Sequence, residues 1–157
     1  MKTLKDLMDV AIQQEIDSQK LYNHAMTIVG TKEAKDFLKE LADAEVVHEK
    51  LLFNIKDTGM FDLDSEITDP KLLEIAEQSH TTHQEDFNEN WTMEQILDLA
   101  LKREYQAQMM FEAAAKMVKD KEVVELFNNL AEEEANHHKN IERKYSLLTG
   151  EMGEEIG

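Results

Sequence analysis

The sequence predicts an all-α fold: a four-helix bundle made of two repeated helical hairpins joined by a long crossover. Apolar or core-type residues recur at alternating steps of four and three, the period of a bundle helix. The second half of the chain repeats the first at a constant shift of 89 residues without a gap. Five Gly and one Pro in 157 residues leave little material for a turn-rich β fold. Ala, Leu, Glu, Lys, Gln and Met, all good helix formers, dominate instead.

The first helix is expected at about residues 3–29, with a seam of Leu4, Met8, Ala11, Glu15, Ser18, Tyr22, Ala25 and Val29. Gly30 breaks it, and Thr31 can cap the second helix, about 32–56, whose seam is Ala34, Leu38, Leu41, Glu45, His48, Leu52 and Ile55. The third, about 92–118, carries Met93, Leu97, Ala100, Glu104, Ala107, Phe111, Ala114 and Val118. After a break near Asp120 the fourth, about 121–148, carries Val123, Phe127, Leu130, Glu134, His137, Ile141 and Leu148. Residues 57–91 form the crossover, with the only proline and at most one short helix around Lys71 to Glu77. The tail, 149–157, has no apolar seam and is expected to fray. The whole reads as a single domain, 1–157, long enough to bury a sizeable core.

Composition narrows the function. With no cysteine, disulfides, iron-sulfur clusters and thiolate-held metals are excluded, so any metal must sit on oxygen and nitrogen. Thirty-four acidic residues against 17 basic ones give a net charge of -17, which would repel a phosphate backbone, so nucleic acid is not an expected partner. No stretch approaches a membrane span and the N-terminus lacks a signal-peptide core, so no membrane association and a cytoplasmic location are expected.

The informative residues are the polar ones inside the seams. Glu15 and Glu45 each lie fifteen residues from Gly30, so in an antiparallel hairpin both stand roughly 22 Å from the turn and face each other. Glu104 and Glu134 are placed likewise about Lys119. Glu45 and His48, and Glu134 and His137, are spaced i, i+3, so each pair projects from one helix face. Four carboxylates in one buried layer would repel each other and take up protons. Two divalent cations would balance the four negative charges, with neutral imidazoles completing their shells.

One Glu from each of two helices and Glu-x-x-His from the other two is the pattern of ferritin-like di-metal bundles. In AIQQEIDSQKLY, LADAEVVHEKLL, ALKREYQAQMMF and LAEEEANHHKNI, the chain resembles the rubrerythrin and ferritin-like di-iron carboxylate superfamily over residues 3 to 148. The resemblance implies metal ligands Glu15, Glu45, His48, Glu104, Glu134 and His137. Glu15 and Glu104 would be terminal or bridging, Glu45 and Glu134 bridging, and each histidine would supply one nitrogen. It implies that Tyr22 hydrogen-bonds a ligand carboxylate from a neighbouring helix; Phe111 stands at the repeat-related place. Two departures are visible. Ala107 occupies the place where peroxide-reducing rubrerythrins carry a further glutamate, and a chain without cysteine is not expected to hold a rubredoxin-like iron centre.

Most helical glutamates belong to solvated faces, but these six residues occupy positions otherwise filled by Leu, Ala, Phe, Val and Ile. His138, His24, Glu132 and Glu133 fall off the seam and read as surface, His80 and His83 lie in the crossover, and Met109 and Met110 read as packing or dimer contacts. The expected cofactor is a pair of iron ions, with manganese or a mixed pair as the alternative. The expected activity is reduction of hydrogen peroxide or dioxygen, with electrons from an external donor such as a rubredoxin-like protein or a flavoprotein. The alternatives are ferroxidase or other iron handling, manganese catalase-like dismutation, and a bundle serving only as an interaction module. A homodimer is expected, and the crossover is long enough to exchange hairpins between two chains.

Overall fold

The computed structural model describes residues 2–58, 62–70, 72–74, 88 and 90–150. Four long helices dominate: α1 (Leu4–Ile28), α2 (Lys32–Thr58), α3 (Met93–Met117) and α4 (Lys121–Thr149). Each starts where the local sequence can satisfy its free backbone N–H groups. Thr3 and Thr92, 89 residues apart, build the same capping box, with Asp6 closing the first and Gln95 the second. Thr31 accepts from the Ala34 N–H at 3.1 Å, and Asp120, its repeat mate, accepts from Glu122 and Val123.

The turns within the two hairpins repeat as well. Val29 and Val118 end their helices by swinging into extended backbone while their side chains stay buried. Gly30 was expected to break α1, yet it is not in the left-handed region and a Cβ there would meet nothing within 4 Å. Lys119 occupies the same place in the second hairpin, so the extended valine and the cap that follows end the helix, not the glycine. Gly150 is the positive-φ residue among those described, at φ 84°, and closes α4 with a left-handed cap.

Helices α1 and α2 form one hairpin and α3 and α4 the other, with α1 packed on α3 and α2 on α4. The N-terminal half of α1 shares an apolar cluster with the C-terminal halves of α2 and α3 and the N-terminal half of α4. A second cluster joins the opposite halves. Every helix is therefore antiparallel to both of its neighbours, and an approximate two-fold axis perpendicular to the bundle relates the hairpins. Repeat mates fall in opposite clusters: Leu4 and Met93, Met8 and Leu97, Phe127 and Leu38. Between the clusters, at mid-height, lie the polar seam residues.

All the seam positions are buried except His137, whose side chain is 15% exposed. A second stripe on α1 and α3, including Leu7, Leu21, Ile96 and Met110, is buried too, because these two helices pack on each other more extensively than α2 and α4 do. Met110 is thereby a packing residue.

The described part of the crossover returns along the start of α1. Leu4 and Lys5 donate to the carbonyls of Ser65 and Leu63 at 2.9 Å each, and Ile67 donates to Lys2 at 3.0 Å. Ile67 and Leu72 are buried in the first cluster, closing that end of the bundle. Residues 72–74 are helical; the remainder of the helix expected at Lys71 to Glu77 lies outside the described residues, as do His80, His83 and residues 151–157 of the tail. Among the described residues no helix is long and apolar enough to cross a membrane.

Phe127 is fully buried and stacks on Phe111 at 6.3 Å between ring centroids. Phe127→Ala should destabilise the fold by about 3–5 kcal/mol, and Thr92→Ala, which removes only a cap, by about 1 kcal/mol. Urea unfolding followed by helical circular dichroism measures both, and a smaller loss at Phe127 than at Thr92 would contradict this account of the core.

Candidate metal centre

The six polar seam residues meet in one layer. Glu15 comes from α1, Glu45 and His48 from α2, Glu104 from α3, and Glu134 and His137 from α4. The four glutamates and His48 are each 1% exposed. Their donor atoms fall into two overlapping groups, Glu15, Glu45, His48 and Glu134 in one and Glu45, Glu104, Glu134 and His137 in the other, with the donor atoms of each within 4.8 Å of one another. Glu45 and Glu134 belong to both. The two imidazoles are 6.0 Å apart and nearly parallel, at 18°.

Both histidines turn Nδ1 into the layer. Nδ1 of His48 lies 2.9 Å from Glu134 Oε1, 3.6 Å from Glu15 Oε2 and 3.9 Å from Glu45 Oε1. Nδ1 of His137 lies 3.4 Å from Glu45 Oε1, 3.6 Å from Glu104 Oε2 and 4.0 Å from Glu134 Oε1. In spite of this proximity, one donor atom on each of the six residues is buried without a hydrogen-bond partner: Glu15 Oε2, Glu45 Oε1, His48 Nδ1, Glu104 Oε2, Glu134 Oε1 and His137 Nδ1. Buried polar atoms are normally paired, since leaving one unsatisfied costs about 1–3 kcal/mol. Six that converge on two shared positions are a donor set fitted to cations, and the mix of carboxylate and imidazole suits iron or manganese.

The surroundings orient these groups. The Tyr22 hydroxyl, on α1, donates to Glu104 Oε1 on α3. Burial first, and the Glu104 charge second, push the Tyr22 hydroxyl well above its usual range, which keeps it protonated as a donor. Nε2 of His48 contacts the Glu133 carboxylate. A carboxylate only accepts, so Nε2 carries the proton and Nδ1 presents a lone pair to the layer when the ring is neutral. Off the seam, Glu133 reads as a solvated neighbour of Glu134; its side chain is 56% exposed, but its carboxylate is a partner of His48. The seam pattern could not reveal this, because Glu133 reaches the site from the rim of α4 and not from its buried face. His138 is a surface residue paired with Glu142 at 2.9 Å, and Glu132 is exposed.

Without a cation the layer retains protons. Burial, reinforced by the charges of Glu104 and Glu15, pushes Glu134 well above the usual carboxylate range, and burial also raises Glu15. Burial opposes ionisation of Glu104 too, but contacts from Glu134, His137 and Tyr22 outweigh it and hold Glu104 low. Burial disfavours the charged form of both histidines, yet Glu15 and Glu133 around His48, and Glu104 and Glu133 around His137, raise them on balance.

Here the fold and site define a four-helix bundle of the ferritin-like class with a buried carboxylate and histidine cluster. The Rubrerythrin family model matches residues 95–155, the segment that holds Glu104, Glu134 and His137. No curated protein matches the chain. A crystal structure described as a ferritin-like diiron-carboxylate protein from Thermotoga maritima has a TM-score of 0.73 at 18% identity, covering 91% of this chain and 94% of that one. A hypothetical protein from Pyrococcus furiosus has a TM-score of 0.68 at 23% identity, covering 92% of this chain and 89% of that one. At these identities the likeness is one of fold. The family match on the second hairpin and the shared fold of the whole support the rubrerythrin and ferritin-like superfamily, the assignment to which the ligand pattern pointed.

A stability prediction follows from the raised groups. The contribution of His48 and His137 is present below the unfolded value of 6.5 and is lost as pH rises through their higher folded values. Glu15 and Glu134 also bind protons more tightly when folded, so they act in the same direction, while Glu104, held low, is ionised in both states above pH 6 and adds no slope there. The metal-free chain should therefore melt at a lower temperature at about pH 8 than at about pH 6. Glu134→Gln should flatten that slope; a melting temperature that rises with pH would show the protonation pattern to be wrong.

Proposed function

We propose that the chain is a di-metal carboxylate oxidoreductase of rubrerythrin type, which reduces hydrogen peroxide or dioxygen with electrons from an external donor protein. The observation that carries the reading is the set of six buried, unpartnered donor atoms converging on two positions that share Glu45 and Glu134. Two iron ions held there would supply the electron pair that reduces hydrogen peroxide, with two protons, to two waters. Glu15 and His48 would hold one ion, Glu104 and His137 the other, and Glu45 and Glu134, common to both donor groups, would serve both. Tyr22 fixes the rotamer of Glu104 through its hydrogen bond and so keeps that carboxylate from swinging onto another partner. The apolar clusters above and below exclude bulk water, which limits side reactions. The assembly proposed is a homodimer, and the class of donor a rubredoxin-like protein or a flavoprotein.

Ferrous iron as substrate, in a ferroxidase, would use the same ligands, and the reactions separate on the oxidant. The decisive experiment is elemental analysis of metal-balanced preparations, followed by anaerobic ferrous loading and stopped-flow mixing with peroxide and with dioxygen. Two irons per chain and faster oxidation by peroxide are expected; faster oxidation by dioxygen would favour a ferroxidase, and two manganese ions a catalase-like enzyme. Glu104→Ala and His137→Ala should each leave no more than one metal per chain and lower turnover at least about 100-fold. Undiminished turnover in either variant would refute the assignment.

A further inference from the structure

The repeat makes the two halves of the site comparable position by position, and two of its breaks put a hydrogen-bonding group on a ligand candidate of one half alone. Adding 89 carries His48 onto His137 and Glu15 onto Glu104, but it carries Tyr22 onto Phe111 and Ala44 onto Glu133. Nε2 of His48 thus has a carboxylate partner in Glu133, whereas Ala44, at the related place, has no group to offer His137. Conversely, Glu104 accepts a hydrogen bond from Tyr22, whereas Phe111 can donate none to Glu15.

The break at Glu133, together with the exposure of His137, favours the Glu15 and His48 half. A carboxylate on the outer nitrogen fixes the tautomer and ring orientation of a histidine ligand and raises its basicity. A hydroxyl donating to a ligand carboxylate orients it in turn, as Tyr22 does Glu104. The Glu15 and His48 half has the strengthened histidine. In the Glu104 and His137 half Ala44 offers the histidine no such partner, and His137 is the ligand candidate that reaches solvent, at 15% exposure against 1% for His48.

We infer that Glu133 is a positioning residue that makes the Glu15 and His48 half the tighter of two unequal divalent-cation positions, so that it fills first. The inference rests on the metal-centre reading above and adds to it an order of occupation, with the second ion, beside Glu104 and His137, the more readily exchanged. It follows from the carboxylate on His48 that the repeat does not give His137, and from the exposure of His137, and not from the ligand pattern.

The test is an anaerobic titration of the metal-free full-length chain with cobalt(II), followed by visible absorption and calorimetry, with the imidazole resonances recorded by nuclear magnetic resonance. Two resolved steps are expected in the unaltered protein, and the first equivalent should perturb His48 before His137. Glu133→Ala should weaken the first step by about 10–100-fold and change the second much less. Glu133→Gln, which can still accept from Nε2 without the charge, should fall between. Ala44→Glu gives His137 the missing partner, so it should tighten the second step and draw the two together; this arm does not depend on losing an interaction. Equal steps in the unaltered protein, a first equivalent appearing at His137, or an unchanged first step in Glu133→Ala would overturn the inference while leaving a two-metal centre intact. No cobalt uptake by the unaltered chain would overturn both.

Discussion

Four carboxylates and two imidazoles placed in one desolvated layer are the constraint on which the rest of the structure depends. An isolated buried charge costs far more than one domain's net stability can absorb, so the layer must be neutralised by protons, by internal pairing or by cations. The metal-free chain combines the first two, with Glu134 and the histidines raised and Glu104 held low. The two apolar clusters, one on each side, supply the burial that holds the helices around this layer.

The antiparallel packing of every helix on its neighbours is what allows such a layer to form. Because repeat-equivalent helices run in opposite directions, an element at mid-height in one hairpin meets its equivalent at mid-height in the other. Residues displaced toward one end meet those displaced toward the opposite end instead, which is why Leu4 and Met93 lie in different clusters. Only residues close to the two-fold axis can meet their own mates, and Glu15, Glu45, His48, Glu104, Glu134 and His137 are those residues.

Much of this was legible in the sequence because it is periodic. A seam with steps of four and three reports which face of a helix is buried, and the shift of 89 reports which seam positions stand level. The parts that were not legible are those the seam does not encode. Leu7, Leu21, Ile96 and Met110 lie on a second stripe whose burial depends on a non-sequential neighbour. Gly30 looked like a helix breaker, but backbone geometry assigns that work to Val29 and Thr31, as Lys119 at the related position could have suggested. Glu133 looked solvated because its carboxylate is, in the main; its role lies in one contact across helices that no single-helix pattern records.

Covalent linkage of the hairpins has a consequence of its own. One hairpin carries two glutamates and a histidine, half of the donor set, so a pair of identical hairpins associating about the same axis would reproduce the whole cluster. In such a pair any residue chosen at one position is imposed on both sides, and the two halves of the cluster are bound to be alike. With the hairpins joined in one chain, each side mutates independently, and tyrosine can face phenylalanine and glutamate can face alanine across the axis. Fusion of the repeats is thus what frees a symmetric cage to acquire a front and a back.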